Sequence, residues 1–110
     1  MGSSFSNFPF RVLYIFLEKN SAPLQTGFAV SGKNFKKAVD RNRIKRLMRE
    51  AYRLQKNNLT YTLKTHRKYL SVFFVYTGNE IPEYNDVSEK MQSALKRLNK
   101  IADETIAADT

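Results

Sequence analysis

Four side chains at helical spacing carry the chemistry of this sequence: Asn42, Arg46, Arg49 and Arg53. A guanidinium is a planar fork of donors, charged at every physiological pH and matched to two phosphate oxygens at once. Asn42 adds an amide that both donates and accepts, suited to a base edge or a 2′-hydroxyl. At about 100° per residue the four fall on one side of a helix. Arg41 and Lys45 lie on one flank of that side, Arg43 and Glu50 on the other. Such a face grips a polyanion.

The wider charge pattern agrees. Ten of the 19 Lys and Arg residues lie between Lys33 and Lys56, where the only acids are Asp40 and Glu50, so most of the net charge of +9 is concentrated there. Like charges one helical turn apart repel, and a charge carried for solubility alone would be dispersed. A membrane surface would call for large aromatics on the apolar side of an otherwise unpartnered helix, and only Tyr52 stands near that border. Reading the major groove of DNA would call for a helix-turn-helix partner or a zipper, and neither pattern follows. RNA is the favoured partner, with no membrane and no DNA expected.

A single domain must position this face. At 110 residues and 42% hydrophobic content, with eight Phe and six Tyr, the chain is long and apolar enough for one modest core. It has no Cys, so disulfides and thiolate metal sites are excluded. The longest apolar run, Val12 to Leu17, is far too short to span a bilayer. No basic patch followed by an apolar stretch marks a signal peptide, and the expected compartment is the cytoplasm.

Phe8 to Leu17 reads as a strand apolar on both faces, Val12, Tyr14 and Phe16 on one and Leu13, Ile15 and Leu17 on the other. Pro9 belongs at its start, where no ladder donor is needed. Asn20 to Pro23 is a turn, and the short connection makes Gln25 to Val30 the expected antiparallel partner. Asp40 to Lys56 is the basic helix, with Asp40 as N-cap, a Val39–Ile44 staple, and Ile44, Leu47, Met48, Ala51 and Leu54 as its buried face. Asn57-Asn58 ends it, and the pattern assigns nothing from there to Lys68. Tyr69 to Thr77 is a third strand, closed by Gly78-Asn79, and 79–85 is a loop. Asp86 and Glu89 resemble a capping box for a last helix striped by Val87, Met91, Ala94, Leu95, Leu98 and Ile101. Residues 1–7 and 103–110 are expected to be loose ends. The order β-β-α-β-α predicts an α+β fold, a small two-layer sandwich of one sheet with helices packed on it.

No protein active site suggests itself. His66, the lone histidine, has no triad or metal-ligand companions and reads as a solvated surface residue. The carboxylates are scattered and form no acid/base pair.

The run Arg41-Asn42-Arg43-Ile44-Lys45-Arg46-Leu47-Met48-Arg49-Glu50-Ala51, preceded by Ala38-Val39, closely resembles the protein subunit family of bacterial ribonuclease P. Leu13-Tyr14 and Gly27-Phe28-Ala29-Val30-Ser31 are similar to that family's strands, as are the Tyr69 to Thr77 strand and the Ser88 to Leu98 helix in kind and order. The resemblance implies a ribonucleoprotein endonuclease that removes the 5′ leader of precursor tRNA. Its RNA subunit performs the hydrolysis with Mg2+ in an RNA-built site. The protein subunit has no catalytic residue and binds no cofactor of its own. Its partners are the ribonuclease P RNA and precursor tRNA.

Carried over residue by residue, the resemblance implies RNA contacts by Arg41, Asn42, Arg43, Lys45, Arg46, Arg49 and Arg53. It implies a leader cleft lined by Val12, Tyr14 and Phe16, with Ser31 and Lys33 at its edge. It also implies a left-handed β-α-β crossover, although general handedness rules favour the other sense. The family starts with a helix and a basic segment before its first strand. Here Met1 stands almost at that strand, so that helix is expected to be absent and one sheet face uncovered. The loop Ser31 to Lys37 is slightly longer than the family pattern. The competing expectation is a non-enzymatic ribosomal or RNA-assembly protein of similar fold.

Overall fold

The computed structural model describes residues 2–109. Strand β1 (Ser3–Asn7) and strand β2 (Phe10–Leu17) form an antiparallel hairpin, and strand β3 (Leu24–Val30) follows. Helix α1 (Ala38–Gln55) and helix α2 (Asn57–Thr65) then cross to strand β4 (Tyr69–Tyr76), and helix α3 (Tyr84–Asp109) completes the chain. The sheet order is β1-β2-β4-β3, with β4 antiparallel to β2 and parallel to β3. The expected α+β sandwich is present, with one more strand and one more helix than the sequence pattern predicted.

Three stretches differ from that pattern. Ser3–Asn7, read as a loose end, is a strand whose Phe5 pairs with Val12 and is buried. At the other end α3 runs on past Asp103 to Asp109. Met1 and Thr110 lie outside the described residues. The stretch left unassigned after Asn58 is α2, which buries Leu59 and Leu63 one turn apart. It closes at Arg67, whose φ of 55° lets the Lys68 amide reach back to the Leu63 carbonyl at 2.9 Å.

β2 and β3 are not the antiparallel pair expected from their short connection. β4 lies between them, and residues 18–23 span the roughly 10 Å of two strand spacings. The reason is apolar content. Every second residue of β4, Leu70, Val72, Phe74 and Tyr76, is buried, so β4 takes an interior position. β3 carries Gln25, Thr26 and Gly27 and takes an edge.

The helices cover the sheet face that bears Phe10, Val12, Phe74 and Tyr76, and one core cluster joins these to Ile44, Met48, Leu59, Leu63, Met91 and Leu98. Rings tie the layers together: Phe74 stacks on Phe28 with centroids 5.8 Å apart, and Tyr52 meets both at 5.9 and 5.5 Å. Truncating such a buried ring costs about 3–5 kcal/mol. The opposite face bears Leu13, Ile15, Phe73 and Val75. Phe73 of β4 is 45% exposed there and Leu13 of β2 38%, so the helices cover only one of the two apolar rows of β2. The Phe73 ring lies against Gly27, where an added Cβ would come within 3.2 Å of it.

α1 begins two residues before the predicted start, at Ala38, after an extended Lys37. Asp40 is therefore in the first turn, where its charge complements the helix dipole, and does not cap. Val39 is 76% exposed and makes no staple. The buried stripe is Ile44, Met48, Ala51 and Tyr52, with Leu47 packed beside it. Leu54 is 58% exposed because the helix is rolled to seat Tyr52 against Phe28 and Phe74. Asp86 likewise lies inside the first turn of α3 and does not cap it.

Candidate nucleic-acid interface

The roll of α1 turns its basic side fully outward. Asn42, Arg43, Arg46, Arg49 and Arg53 are exposed, and Lys45 is half-buried beside them. Glu50 binds Arg53, with Arg53 Nη2 donating to Glu50 Oε1 at 2.7 Å and Nε reaching Oε2 at 3.4 Å. That hydrogen bond lowers the Glu50 pKa and raises that of Arg53. Among the described residues no carboxylate pairs with Arg43, Lys45, Arg46 or Arg49. The predicted ridge is therefore assembled, and most of its charge is left for a partner.

Arg41 differs from its neighbours. Its Nη1 donates to the Phe35 carbonyl at 2.7 Å and to the Lys36 carbonyl at 2.9 Å. It anchors the loop before α1 and adds less to the ridge than the sequence pattern implied. That loop is ordered by its own bonds. The Phe35 amide donates to the Ser31 carbonyl at 3.2 Å, the Lys33 amide to Ser31 Oγ at 3.3 Å, and Asn34 Nδ2 to the Gly78 carbonyl at 3.2 Å. Phe35 is buried against Tyr76, which leaves the side chains of Lys33, Lys36 and Lys37 outside.

The residues expected to line a leader cleft separate. Val12 is 0% exposed, sealed under the helices, and cannot touch a ligand. Its inward position follows from the strand period, because it shares a row with Phe10 and pairs with Phe74 in β4. Tyr14 and Phe16 lie on the same row but are only half-buried, their rings edge-to-face at 6.4 Å. Phe5 joins them, 6.1 Å from Tyr14, and carries the Arg97 guanidinium 4.4 Å above its ring. Neither Phe5 nor Arg97 was expected here, since residues 1–7 carried no strand assignment. Ser31 and Lys33 belong to the loop before α1.

The ridge has a second border that sequence spacing missed. Lys56, seven residues beyond Arg49, places its Nζ 5.8 Å from the Tyr52 ring centroid, and Arg49 lies 5.7 Å from that of Phe28. Lys56 lies three residues beyond Arg53, so helical periodicity was the available signal for it.

A ribonuclease P family profile matches residues 1–99. The chain belongs to the ribonuclease P family. It is 38% identical over 98 residues to a ribonuclease P protein component of Porphyromonas gingivalis, covering 88% of this chain and 72% of the relative. A protein of the same description from Chlorobaculum tepidum is 40% identical over 82 residues, covering 69% and 53%. The fold is similar to that of the Staphylococcus aureus RNase P protein, with a TM-score of 0.67 at 22% identity, covering 88% of this chain and 81% of that one.

Among the described residues no group of three His, Asp or Glu side chains converges to seat a metal ion. None of the described helices is long and apolar enough to cross a membrane.

Proposed function

We propose that this chain is the protein component of a bacterial ribonuclease P, docking on the catalytic RNA through the outer side of α1 and steadying the 5′ leader of precursor tRNA. Hydrolysis belongs to the RNA and its Mg2+, and the protein supplies binding and placement. The observation that carries this reading is the row Arg43, Arg46 and Arg49, unpaired with any carboxylate among the described residues, on a rigid helix of a chain with this family match. Three guanidinium groups along one helix face can follow consecutive phosphates and release their counterions.

Tyr14 and Phe16 are proposed to receive unpaired leader bases, backed by the buried Phe5 ring. Half-exposed rings offer π faces for stacking, worth about 1–3 kcal/mol per base. Arg97 above Phe5 adds a cation for the adjoining phosphate. Lys33 extends the positive field toward the same RNA. The protein is expected to work where precursor tRNA is made, in the cytoplasm.

The test is reconstitution with a bacterial ribonuclease P RNA at low magnesium, following cleavage of precursor tRNA. Added protein should raise the cleavage rate at limiting magnesium, more for a substrate with a leader than for one without. A rate that does not move with added protein would remove the reading.

A further inference from the structure

We infer that the groove between the outer edge of β3 and the C-terminal half of α1 seats one phosphate–ribose unit of single-stranded RNA, with Arg49 and Lys56 on the phosphate and the Thr26–Tyr52 hydroxyl pair on the 2′-hydroxyl. This rests on the RNA-docking reading above and names what one part of that surface takes.

The groove has a volume of about 470 Å3, and its walls include Leu24, Thr26, Phe28, Arg49, Tyr52 and Lys56. The two cations at its rim are held by ring faces, not by carboxylates. A π face positions a cation without cancelling its charge, so two full positive charges stand over the opening. Arg53, next along the rim, is occupied by Glu50 and contributes less.

Thr26 Oγ1 and Tyr52 OH lie 2.5 Å apart in the wall. Two hydroxyls that share one hydrogen bond still hold one hydrogen and several lone pairs between them. Burial pushes the Tyr52 phenol above its ordinary value, so it keeps its proton at neutral pH. A ribose 2′-hydroxyl donates and accepts and can join such a pair, whereas deoxyribose has nothing to offer there. Leu24 and Phe28 supply an apolar wall for the sugar. As an edge strand of the four-stranded sheet, β3 also presents unpaired backbone groups along the opening.

An acidic peptide laid along β3 would use the same two cations but has no 2′-hydroxyl, and this difference decides the experiment. The full chain is assembled with ribonuclease P RNA and precursor tRNA carrying single 2′-deoxy substitutions, in the leader in one arm and in the catalytic RNA in the other. The wild type should lose about fivefold in affinity at one position, and the arm in which it appears identifies the strand. Tyr52→Phe should lose about the same on all-ribose RNA and then show no further penalty at that position. Thr26→Val, which keeps the Tyr52 phenol and removes its partner, should do likewise. Lys56→Ala should reduce the salt dependence of binding by about 0.7 in log–log slope, as for one single-strand phosphate contact. If the wild type stimulates cleavage but every deoxy penalty survives in both hydroxyl variants, the groove assignment is wrong and the docking reading stands. Without wild-type stimulation, both fall.

Discussion

Arg41 Nη1 sits 2.7 Å from the Phe35 carbonyl oxygen, so the first arginine of the basic helix is spent partly on holding the chain that leads into it. A second bond to the Lys36 carbonyl at 2.9 Å makes the guanidinium a clamp on the loop. Bonds from a charged donor are worth about 1.5–3 kcal/mol each when desolvated, and less at a half-exposed site. Arg41→Ala should therefore cost about 1–2 kcal/mol and lower the melting temperature by several degrees. Arg41→Lys should not restore it, because an ammonium cannot reproduce the fork. Thermal denaturation of the free protein checks both.

Arg46 makes the opposite prediction. It is exposed and bonded to nothing among the described residues, so Arg46→Ala should leave the melting temperature within a degree or two of wild type. Binding to ribonuclease P RNA should weaken, and the slope of log affinity against log salt should fall by about 0.9 for a lost duplex phosphate contact. Salt titrations of the two proteins side by side decide the matter. An unchanged slope would mean that Arg46 does not meet phosphate.

The contrast between Arg41 and Arg46 shows what the sequence could and could not convey. Period alone put both on an arginine-rich face, and the helix, its outward charge and the α+β class all followed from that period. What period could not supply was the exact roll of α1. That roll depends on Tyr52 finding Phe28 and Phe74, residues far away in the chain. The same limit explains Leu54, assigned inward by spacing and found exposed. Val12 was misplaced for a related reason. β2 is apolar on both rows, so the alternation could not say which row the helices cover. β1 was missed because Ser3 to Asn7 holds a single large apolar residue, Phe5, and its strand state comes from pairing with β2.

Glu50 holds Arg53 away from a partner. The pair is exposed and adds little to stability, so Glu50→Gln should leave the melting temperature nearly unchanged. It should free Arg53, raising RNA affinity about two- to threefold at low salt and steepening the salt slope. Acid should have a related effect on the pair itself. The Glu50 pKa in the folded protein lies below its ordinary value, so the pairing is complete above the usual carboxylate range and fades as pH falls through the lowered value. Affinity measured for wild type and Glu50→Gln should thus converge at low pH and diverge near neutrality. A constant difference across that range would place the effect elsewhere.

Val12 and Tyr14, two residues apart on one row of β2, separate packing from binding. Val12 is sealed between Phe5 and Phe74 in the strand pairing, so Val12→Ala should destabilise the fold by about 1–3 kcal/mol through lost burial and a residual cavity. Well below the melting temperature the folded fraction remains high, and leader affinity should be close to wild type. Tyr14 is half-buried, its ring beside those of Phe5 and Phe16. Tyr14→Ala should cost about 1–3 kcal/mol in affinity for a precursor with a leader, the value of one stacked base. For mature tRNA, which has no leader, the same variant should bind as the wild type does. The leader-dependent difference in affinity, measured for both variants at one temperature, is the deciding quantity. If Val12→Ala reduced it and Tyr14→Ala did not, the leader would have to run elsewhere on the protein.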